Sequence, residues 1–538
     1  MAAKKRGETS RQNWLDVWDE LAYFVMPSMV GFNSSHVPGE RFKWSRRTDT
    51  TAGQANKTLA NHLHMALCSP SSAWFEGEFD DPDINKLDAA KEWAQDTTER
   101  MFRAFNYSNF NGKINLYFQV LGAFGTSNLE ANFISTAKEP FKLVFSTPHL
   151  NNTVYDVDVN GVIDTVFEDV TYTKRQAETK FNRKFEDGNS SNNTTYRSSV
   201  DQDVVTLIKI TLPNEDFDPD SLSPKKREYI VHWVYNKEIF KTEYIYEMSY
   251  MVARFEEIYD DRFYGEGPGL LALSDIRSIN TAKRLEFRGY EKGIDPPLMG
   301  AAGGVIGDLH IEAGGFTQVR DPRMVGELPG KMDINLVMIK GEELRDSIRR
   351  AFKIDELTVP EKSGNPRTAT EIQVKYEQAQ KAMGATVGRI ESELLKPLVK
   401  RTFGMMFRNG QFADMPEEIA GAEFNFRYVG PLAKSQVSGD AVAIERILQA
   451  GMSVAQIDPQ ALMVIDTVKA MRMLADRYST PAQVIRSEKE VEQIQQQQAQ
   501  AQQQQAATEQ QMGQAQADQA SVEATSANVE LMKQVQTG

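Results

Sequence analysis

The sequence is short of cysteine, histidine and long apolar runs. Cys68 is the only cysteine among 538 residues, which excludes an internal disulfide framework and indicates a reducing compartment. No apolar run approaches the length of about 18 residues that a membrane span needs, and no apolar segment directly follows the basic N-terminus. We therefore expect neither a membrane helix nor a signal peptide.

Motifs for catalysis and cofactor binding are missing or incomplete. Residues 326–332 approach the pattern of a phosphate-binding loop, but the spacing is one residue short and the hydroxyl for magnesium is absent. His62 and His64 stand two apart in a predicted helix and so point to different sides. Cys68 lacks the context of a nucleophile and is expected to be a buried, inert thiol. Six histidines in 538 residues offer few candidates for a general base. The sequence therefore predicts no catalytic residue, no bound metal, no cofactor and no enzymatic activity.

The chain is acidic, with a formal net charge of −14. This charge argues against tight non-specific binding of DNA by the whole surface, because such binding rests on cations that neutralise phosphates. It leaves open a protein that lets DNA pass without holding it. The hydrophobic fraction of 41% is that of an ordinary globular protein.

The first half of the chain predicts helices followed by strands. Apolar periodicity indicates helices over residues 8–26, 50–67, 86–106 and 111–124. Strand-like runs cover residues 73–79, 127–170, 204–212 and 228–256. The clearest hairpin places Asn160-Gly161 between two alternating runs. This half is therefore expected to be an α+β domain.

Two predicted helices flank a glycine-rich segment in the centre of the chain. The helices cover residues 270–292 and 335–352, and the segment 298–333 lies between them. The distal half of the first helix carries four cations, which are Lys283, Arg284, Arg288 and Lys292.

The longest predicted element is a helix that follows a polar loop at residues 355–367. Thr368 and Glu371 form a capping box, in which the Thr368 hydroxyl can accept from the backbone N–H of Glu371. Apolar residues then recur every three or four positions until the pattern stops at Gly410. The helix would cover about 42 residues, or roughly 60 Å, and Pro397 predicts a kink inside it.

The predicted elements after residue 410 are short. Helices are expected at 435–450, 459–475 and 480–486. The tail from about residue 487 is rich in Gln and Ala and makes a poor coiled-coil seam, since Gln at core positions weakens it.

Five stretches between residues 12 and 491 stand out by their order and spacing. They are Trp14-x-x-x-Trp18 with the segment up to Pro27, Asp49-Thr-Thr-Ala52 with the segment up to Phe75, Tyr264-Gly-Glu-Gly-Pro-Gly269 with the segment up to Asn280, Arg367-Thr-Ala-Thr-Glu371, and Pro481-Ala-Gln-Val-Ile485 with the segment up to Val491. Together with the order of predicted elements, they resemble the portal, or head-to-tail connector, proteins of short-tailed bacteriophages.

The resemblance implies a portal fold of the α+β class, mainly helical, that assembles into a ring of about twelve subunits at one capsid vertex. DNA would enter and later leave through the channel of this ring. The implied parts are an α+β wing at 1–265, a first stem helix at 266–295, a clip at 296–334, a second stem helix at 335–354, a tunnel loop at 355–368, a kinked channel helix at 369–410, a helical crown at 411–487 and a C-terminal helical barrel at 488–538.

The resemblance also implies the partners and the location. The partners are double-stranded DNA, the large terminase, tail adaptor or tail tube proteins, the major capsid protein and scaffolding or internal core proteins, with no membrane. The protein would be assembled in the cytoplasm of the host bacterium and reside in the virion at the head–tail junction.

A translocation channel should not bind DNA tightly, so we expect an acidic lining with sparse rings of cations. The candidate DNA-facing cations are Lys283, Arg284, Arg288 and Lys292 on the first stem helix and Lys362 and Arg367 on the tunnel loop, whose centre is Ser363, Gly364, Asn365 and Pro366. The alternative is that these cations are solvated or paired with neighbouring subunits.

Two other classes of function stay open. The long helix and the Gln-rich tail are compatible with a coiled-coil scaffold or adaptor. An enzyme that processes DNA is the third hypothesis, and the incomplete phosphate loop counts against its ATP-driven form.

Overall fold

The fold was obtained as a computed structural model that describes most of the chain up to residue 477. The described ranges are 2–185, 204–354, 383–429, 443–453 and 466–477, with gaps at 30, 33–46, 72, 136–140, 260, 295–297 and several positions between 301 and 333, and with a few single residues after 490.

Helices dominate both ends of the described chain. They are α1 Ala2–Phe24, α2 Thr51–Leu67, α3 Asp88–Tyr107, α4 Phe110–Phe124, α5 Lys174–Phe181, α6 Pro268–Leu271, α7 Leu273–Ile294, α8 Ile334–Ala351, α9 Gly384–Ile390, α10 Lys396–Arg408 and α11 Thr467–Arg477. A π-helical turn at Glu391–Leu395 joins α9 to α10. Residues 443–453 are also helical.

The strands form antiparallel sheets. They are β1 Phe75–Phe79, β2 Thr126–Ile134, β3 Lys142–Ser146, β4 Thr153–Val157, β5 Ile163–Thr173, β6 Val204–Pro213, β7 Tyr229–Tyr235, β8 Glu238–Ile245, β9 Tyr250–Arg254, β10 Glu256–Ile258, β11 Asp261–Glu266, β12 Leu298–Gly300, β13 Val325–Glu327 and β14 Phe424–Tyr428. One sheet has five strands in the order β4-β5-β6-β7-β8, and a second has the order β3-β2-β9. The remaining strands pair as β1-β14, β10-β11 and β12-β13.

The chain divides into two compact units. The first contains residues 1–81 and 93–435, and the second contains residues 82–92 and 436–538. The sheets lie in the first unit, whereas α11 and the helical residues 443–453 lie in the second.

The main core of the first unit is built around α4. Ile114, Tyr117, Phe118 and Leu121 are fully buried, and α1, α2, α6 and β2 all contact this helix. The C-terminal part of α4, Val120 to Phe124, is buried on all sides, so the helices and the sheet assemble around it. A smaller core under the five-stranded sheet contains Ala177, Phe185, Val205, Leu207, Val231 and Trp233.

The predicted fold class is confirmed, since the first unit mixes helices with antiparallel sheets. The predicted bounds of α2, α3 and α4 agree with the structure to within two residues. The predicted hairpin is present: β4 pairs with β5, and Gly161 in the connecting turn has a φ of +80°. Of the predicted C-terminal helices, that at 480–486 lies outside the described residues.

Three predictions of local structure need correction. Helix α1 begins at Ala2 and not at residue 8, because Lys4 and Arg6 form ion pairs with Asp169 and Asp156 at 2.6 Å and 3.2 Å. These distant partners leave no mark on local periodicity. The helix predicted at 270–292 is broken at Ala272 and extends to Ile294.

Strand β14 was not predicted. It pairs with β1, which lies about 350 residues earlier, with Phe75 opposite Tyr428. Its alternation of aromatic and polar residues is only five residues long, which is a weak signal without knowledge of β1.

The expectations about a membrane helix, a metal site and Cys68 can be compared with the described part of the chain. No described helix is long and apolar enough to cross a membrane. Within the same residues, no three His, Cys, Asp or Glu side chains are placed to hold a metal ion. Cys68 is buried as predicted, and burial raises the pKa of its thiol.

The two larger sheets are joined by a buried polar network. Lys209 on β6 donates to Glu130 on β2, and Tyr250 on β9 donates to Glu168 on β5. The Lys209 ammonium also lies 4.6 Å from the centre of the Tyr250 ring. Glu130 accepts further hydrogen bonds from Asn132 at 2.7 Å and from Ser146 at 3.0 Å.

The two carboxyl groups of this network have opposite pKa shifts. Burial alone would raise the pKa of Glu130, but the charge and hydrogen bond of Lys209 outweigh it and lower that pKa to about 2. Burial, followed by the charge of Glu130, raises the pKa of Glu168. The charged carboxylate of Glu130 therefore stabilises the folded state, whereas the charged carboxylate of Glu168 destabilises it.

We expect Glu130→Gln and Glu168→Gln to differ in sign at pH 7. Glu130→Gln should destabilise the protein by about 3 kcal/mol, because Lys209 loses its buried counter-charge. Glu168→Gln should be neutral or stabilising, because a neutral side chain still accepts from Tyr250. Urea unfolding as a function of pH measures both changes.

The pH dependence provides the control. The carboxylate of Glu130 contributes stability above the ordinary pKa of 4.5, and this stability disappears as the pH falls toward about 2. Ionisation of Glu168 opposes folding at neutral pH, so the benefit of Glu168→Gln should fade as the pH falls toward 4.5. Equal destabilisation by both variants at pH 7 would contradict this account of the network.

Candidate DNA-channel helices

Helices α7 and α8 form an antiparallel pair. Ser347 on α8 donates to Asp275 on α7 at 2.6 Å, and a Cβ added at Gly341 would lie 3.5 Å from Ile279. Later residues of α8 thus contact earlier residues of α7, so the two helices run in opposite directions. Buried Ile276, Ile279 and Ile348 supply the apolar side of this contact. The pair corresponds to the two helices that the resemblance assigns to the stem.

Thr48 and Asp49, which precede α2, contact the helical pair through the buried side chain of Asn280. The backbone N–H groups of Thr48 and Asp49 donate to the side-chain oxygen of Asn280 at 3.0 and 3.1 Å, and Asn280 is 2% exposed. Arg345 on α8 donates to Asp49 at 3.1 Å. Hydrogen bonds from Thr51 and Arg345 outweigh the effect of burial and lower the pKa of Asp49. One short segment therefore contacts both helices with satisfied polar groups.

The four cations predicted on the first stem helix are not equivalent. Lys283 forms an ion pair with Glu286 at 2.8 Å. Arg284, Arg288 and Lys292 are exposed, and no ion pair joins them to another residue that the structure describes. Their spacing of four residues places them on one stripe of α7. This stripe, defined here as the stem stripe, could meet a phosphate backbone or a neighbouring subunit.

The junction between α4 and the start of the helical pair is closed by backbone packing. Gly125 ends α4 with a φ of +78°, and a Cβ there would overlap the carbonyl oxygen of Gly265. Gly267 and Gly269 lie just as close to the backbone of Gly125 and Ala123. Because α6 leads into α7, these contacts fix where α7 leaves the sheets.

The last part of the predicted long helix is present as α9, the π turn and α10. Asn409 follows the final turn, and Gly410 has a φ of +63°, so the predicted stop is confirmed. The π turn ends at Leu395, two residues before Pro397, which lacks the N–H that a regular helix would need. The kink itself stays a prediction.

Two arginines dock this helical segment on the three-stranded sheet. Arg254 at the end of β9 donates to Glu393 in the π turn at 2.6 and 3.2 Å. Arg401 is 5% exposed and donates to the carbonyl oxygens of Ala131 and Glu247 at 2.7 and 2.6 Å. Burial lowers the pKa of Arg401 to about 10.

The other predicted site residues cannot be placed. Lys362, Arg367, Ser363, Gly364, Asn365, Pro366, Thr368 and Glu371 lie outside the described residues. Their assignment to a tunnel loop and helix cap stays a prediction.

Sequence reasoning missed the residues that hold the helices. Asn280 and Arg401 both sit within apolar stripes, beside Ile276 and Ile279 in the first case and Leu398 and Met405 in the second. A polar residue inside such a stripe predicts a buried partner, because unpaired burial is costly. The identity of that partner requires the tertiary structure.

In this structure an α+β body holds a helical pair and a helical segment by buried polar contacts. The chain matches the family model of the bacteriophage head to tail connecting protein over residues 3–485. It is similar to a probable portal protein of Bordetella phage BPP-1, with 24% identity over 499 residues that cover 89% of this chain and 86% of that protein. It is also similar to a portal protein of Salmonella phage epsilon15, with 22% identity over 511 residues that cover 92% and 89%.

The chain belongs to the bacteriophage head-to-tail connecting protein family. The resemblance inferred from the landmark stretches is thereby confirmed, and it extends over nearly the whole chain. The hypotheses of a coiled-coil scaffold and of a DNA-processing enzyme are not favoured.

We expect Gly125→Ala to destabilise the protein more than Gly161→Ala. Both glycines have φ near +80°, which costs an alanine about 1 kcal/mol. A Cβ at position 125 would also overlap backbone, whereas a Cβ at position 161 meets nothing within 4 Å. Overlap with rigid backbone should add about 2 kcal/mol. Thermal unfolding of the two variants measures the difference, and equal shifts would show that the junction tolerates displacement.

Proposed function

We propose that this protein is the portal subunit of a tailed bacteriophage. About twelve copies form a ring at one capsid vertex, and the genome passes through the ring during packaging and ejection. The observation that carries the proposal is the family match over residues 3–485, supported by two relatives named as portal proteins that align along nearly their full lengths.

The parts of the subunit have the roles that the resemblance assigns to them. Residues 1–265 are the wing, 266–295 and 335–354 the stem, 296–334 the clip and 355–368 the tunnel loop. Residues 369–410 border the channel, followed by the crown at 411–487 and the barrel at 488–538. The hydrogen bonds from Thr48, Asp49 and Arg345 support a stem that moves with the wing as one piece.

The stem stripe faces the DNA. In a ring, each cation of one subunit becomes a circle of cations, so Arg284, Arg288 and Lys292 form three circles. Ion pairing within α7 leaves Lys283 as the weakest candidate of the four. Sparse positive circles on a protein of net charge −14 attract DNA without holding it.

The partners follow from the same role. The ring binds the large terminase during packaging and a tail adaptor or tail tube afterwards. It contacts the major capsid protein and scaffolding or internal core proteins during assembly in the bacterial cytoplasm, and it remains in the virion. The protein itself supplies no catalytic group, and the energy for packaging comes from the terminase.

The purified full-length protein, viewed by electron microscopy, should form closed rings with a central hole. Native mass spectrometry should give a mass of about twelve chains, because identical head-to-tail interfaces close into a ring when the rotation between neighbours allows it. Filaments or monomers that persist when scaffolding and capsid proteins are present would exclude the portal role.

The stem stripe is tested by the salt dependence of DNA binding to assembled rings. Replacing Arg284, Arg288 and Lys292 with Gln should lower the slope of log affinity against log salt by about one for each phosphate that is no longer neutralised. Lys283→Gln is the control and should change the slope less, because Glu286 already neutralises that ammonium. Fluorescence anisotropy of a labelled duplex measures the slope. An unchanged slope in the triple variant would place the stripe away from the DNA.

A further inference from the structure

An exposed loop between β6 and β7 carries apolar side chains into solvent. In this loop, residues 214–227, Leu222 is fully exposed and Phe217 is 47% exposed. The loop is nevertheless ordered at its base, because the Asn214 side chain donates to the carbonyl oxygens of Lys225 and Arg227 at 2.9 and 2.7 Å. Apolar side chains held out on a well-bonded loop are typical of a contact surface.

The first half of this loop is acidic, whereas Lys225, Lys226 and Arg227 at its end are basic. Its exposed carboxylates are Glu215, Asp216, Asp218 and Asp220, and no ion pair joins them to another described residue. A partner for this loop therefore needs an apolar recess with cations around it.

The first unit contains a recess of that chemistry. A cleft of about 270 Å³ lies between the C-terminal half of α3, the start of β3 and the end of α10. Its lining includes Arg100, Arg103, Tyr107, Phe141 and Met406, and among the lining residues that the structure describes there is no carboxylate. Tyr107 is 84% exposed at the rim. We call this recess the α3 cleft.

The cations of the α3 cleft can change partners at little cost. Arg100 and Arg103 each pair with a carboxylate four residues earlier, Asp96 and Glu99, on the exposed surface of α3. Such exposed pairs contribute little to stability. The cleft admits one or two side chains and not a duplex, so a protein segment fits better than DNA. On docking, carboxylates of that segment would take the place of Asp96 and Glu99 beside the two arginines.

We propose that the β6–β7 loop of one subunit docks in the α3 cleft of the next subunit in the ring. The inference rests on the proposed ring, because only head-to-tail contacts join two different surfaces of identical chains. Leu222 or Phe217 enters the apolar recess, and the carboxylates of the loop meet Arg100 and Arg103.

The position of the two surfaces in the fold suits rotation about a ring axis. Arg227, at the base of the loop, lies 4.4 Å from the Tyr246 ring, and Arg408 of α10 lies 4.3 Å from the same ring. Met406 of α10 lines the cleft. Both surfaces thus flank the C-terminal end of α10. Rotation about a ring axis conserves height and radius, so a loop can reach a cleft of the next subunit only where the two lie at a similar level, as their common position beside α10 allows.

The test uses disulfide cross-linking of the full-length ring. Tyr107→Cys and Leu222→Cys are combined in one chain, rings are verified by native mass, and a mild oxidant is added before a non-reducing gel. Cys68 gives little background because it is 1% exposed. We expect a ladder of covalent multimers that extends to the size of the closed ring.

Matched variants make the result specific. The control pair is Leu222→Cys with Tyr259→Cys, since Tyr259 is wholly exposed but lies in the β10–β11 turn. It should give no ladder. In the cross-linking pair, adding Arg103→Glu should slow ladder formation on the order of tenfold, and adding Asp218→Arg as well should restore it.

The outcomes separate this contact from the portal role. Rings that form without a ladder, a ladder that is equal in the control pair, or a bond within single chains would overturn the docking and leave the ring standing. Absence of rings from the wild-type protein, even with scaffolding and capsid proteins present, would overturn the proposed function and the docking together.

Discussion

The buried guanidinium of Arg401 is the constraint on which the arrangement of helix and sheet depends. Its partners are backbone carbonyl oxygens of Ala131 and Glu247 and the side-chain oxygen of Asn132, none of them charged. Burial away from water disfavours the charged guanidinium and lowers its pKa, although the charges of Glu247 and Glu130 oppose the shift. Because a buried cation is costly when unsatisfied, these hydrogen bonds are needed to keep Arg401 in place. These hydrogen bonds hold α10 against β2 and the turn before β9 and fix the position of the helix along the sheet. The nearby Arg408 adds two bonds of 2.7 Å to the Glu247 carboxylate.

This register explains the π turn. Glu393 and Arg401 are eight residues apart, and in an unbroken α-helix they would lie about 80° apart around the axis. Yet Arg254 of β9 holds Glu393 while β2 holds Arg401, and both strands belong to the same sheet. The wider π turn adds less rotation per residue and so reduces that offset. The absence of a donor at Pro397 makes this the least costly place for the irregularity. Docking to the sheet, and not proline alone, accounts for the local geometry.

The sequence predicts the parts of this structure that depend on local pattern. Apolar periodicity locates α2, α3, α4 and the stop after α10, and Asn160-Gly161 locates a hairpin. It does not predict contacts whose partners are remote, such as β1 with β14, Thr48 with Asn280, or Arg254 with Glu393, because each partner looks ordinary in its own neighbourhood. The candidate site likewise has features that the sequence predicts and features that it does not. The cations of α7 can be read from sequence, but the pairing of Lys283 and the exposure of Arg284 require the fold.

The geometry of the stem stripe also favours sliding over binding. Residues four apart on a helix rise by about 6 Å, whereas phosphates follow one another by about 3.4 Å along each DNA strand. Three circles of cations with this spacing cannot all face phosphates in one position of the duplex. As some cations meet phosphates, others move away from them, so the energy changes little as DNA advances. The strong polar contacts of the subunit, at Arg401, Asn280 and Arg254, hold its own elements together. If the stem stripe faces the DNA as proposed, its cations are too few and too widely spaced to stop the duplex.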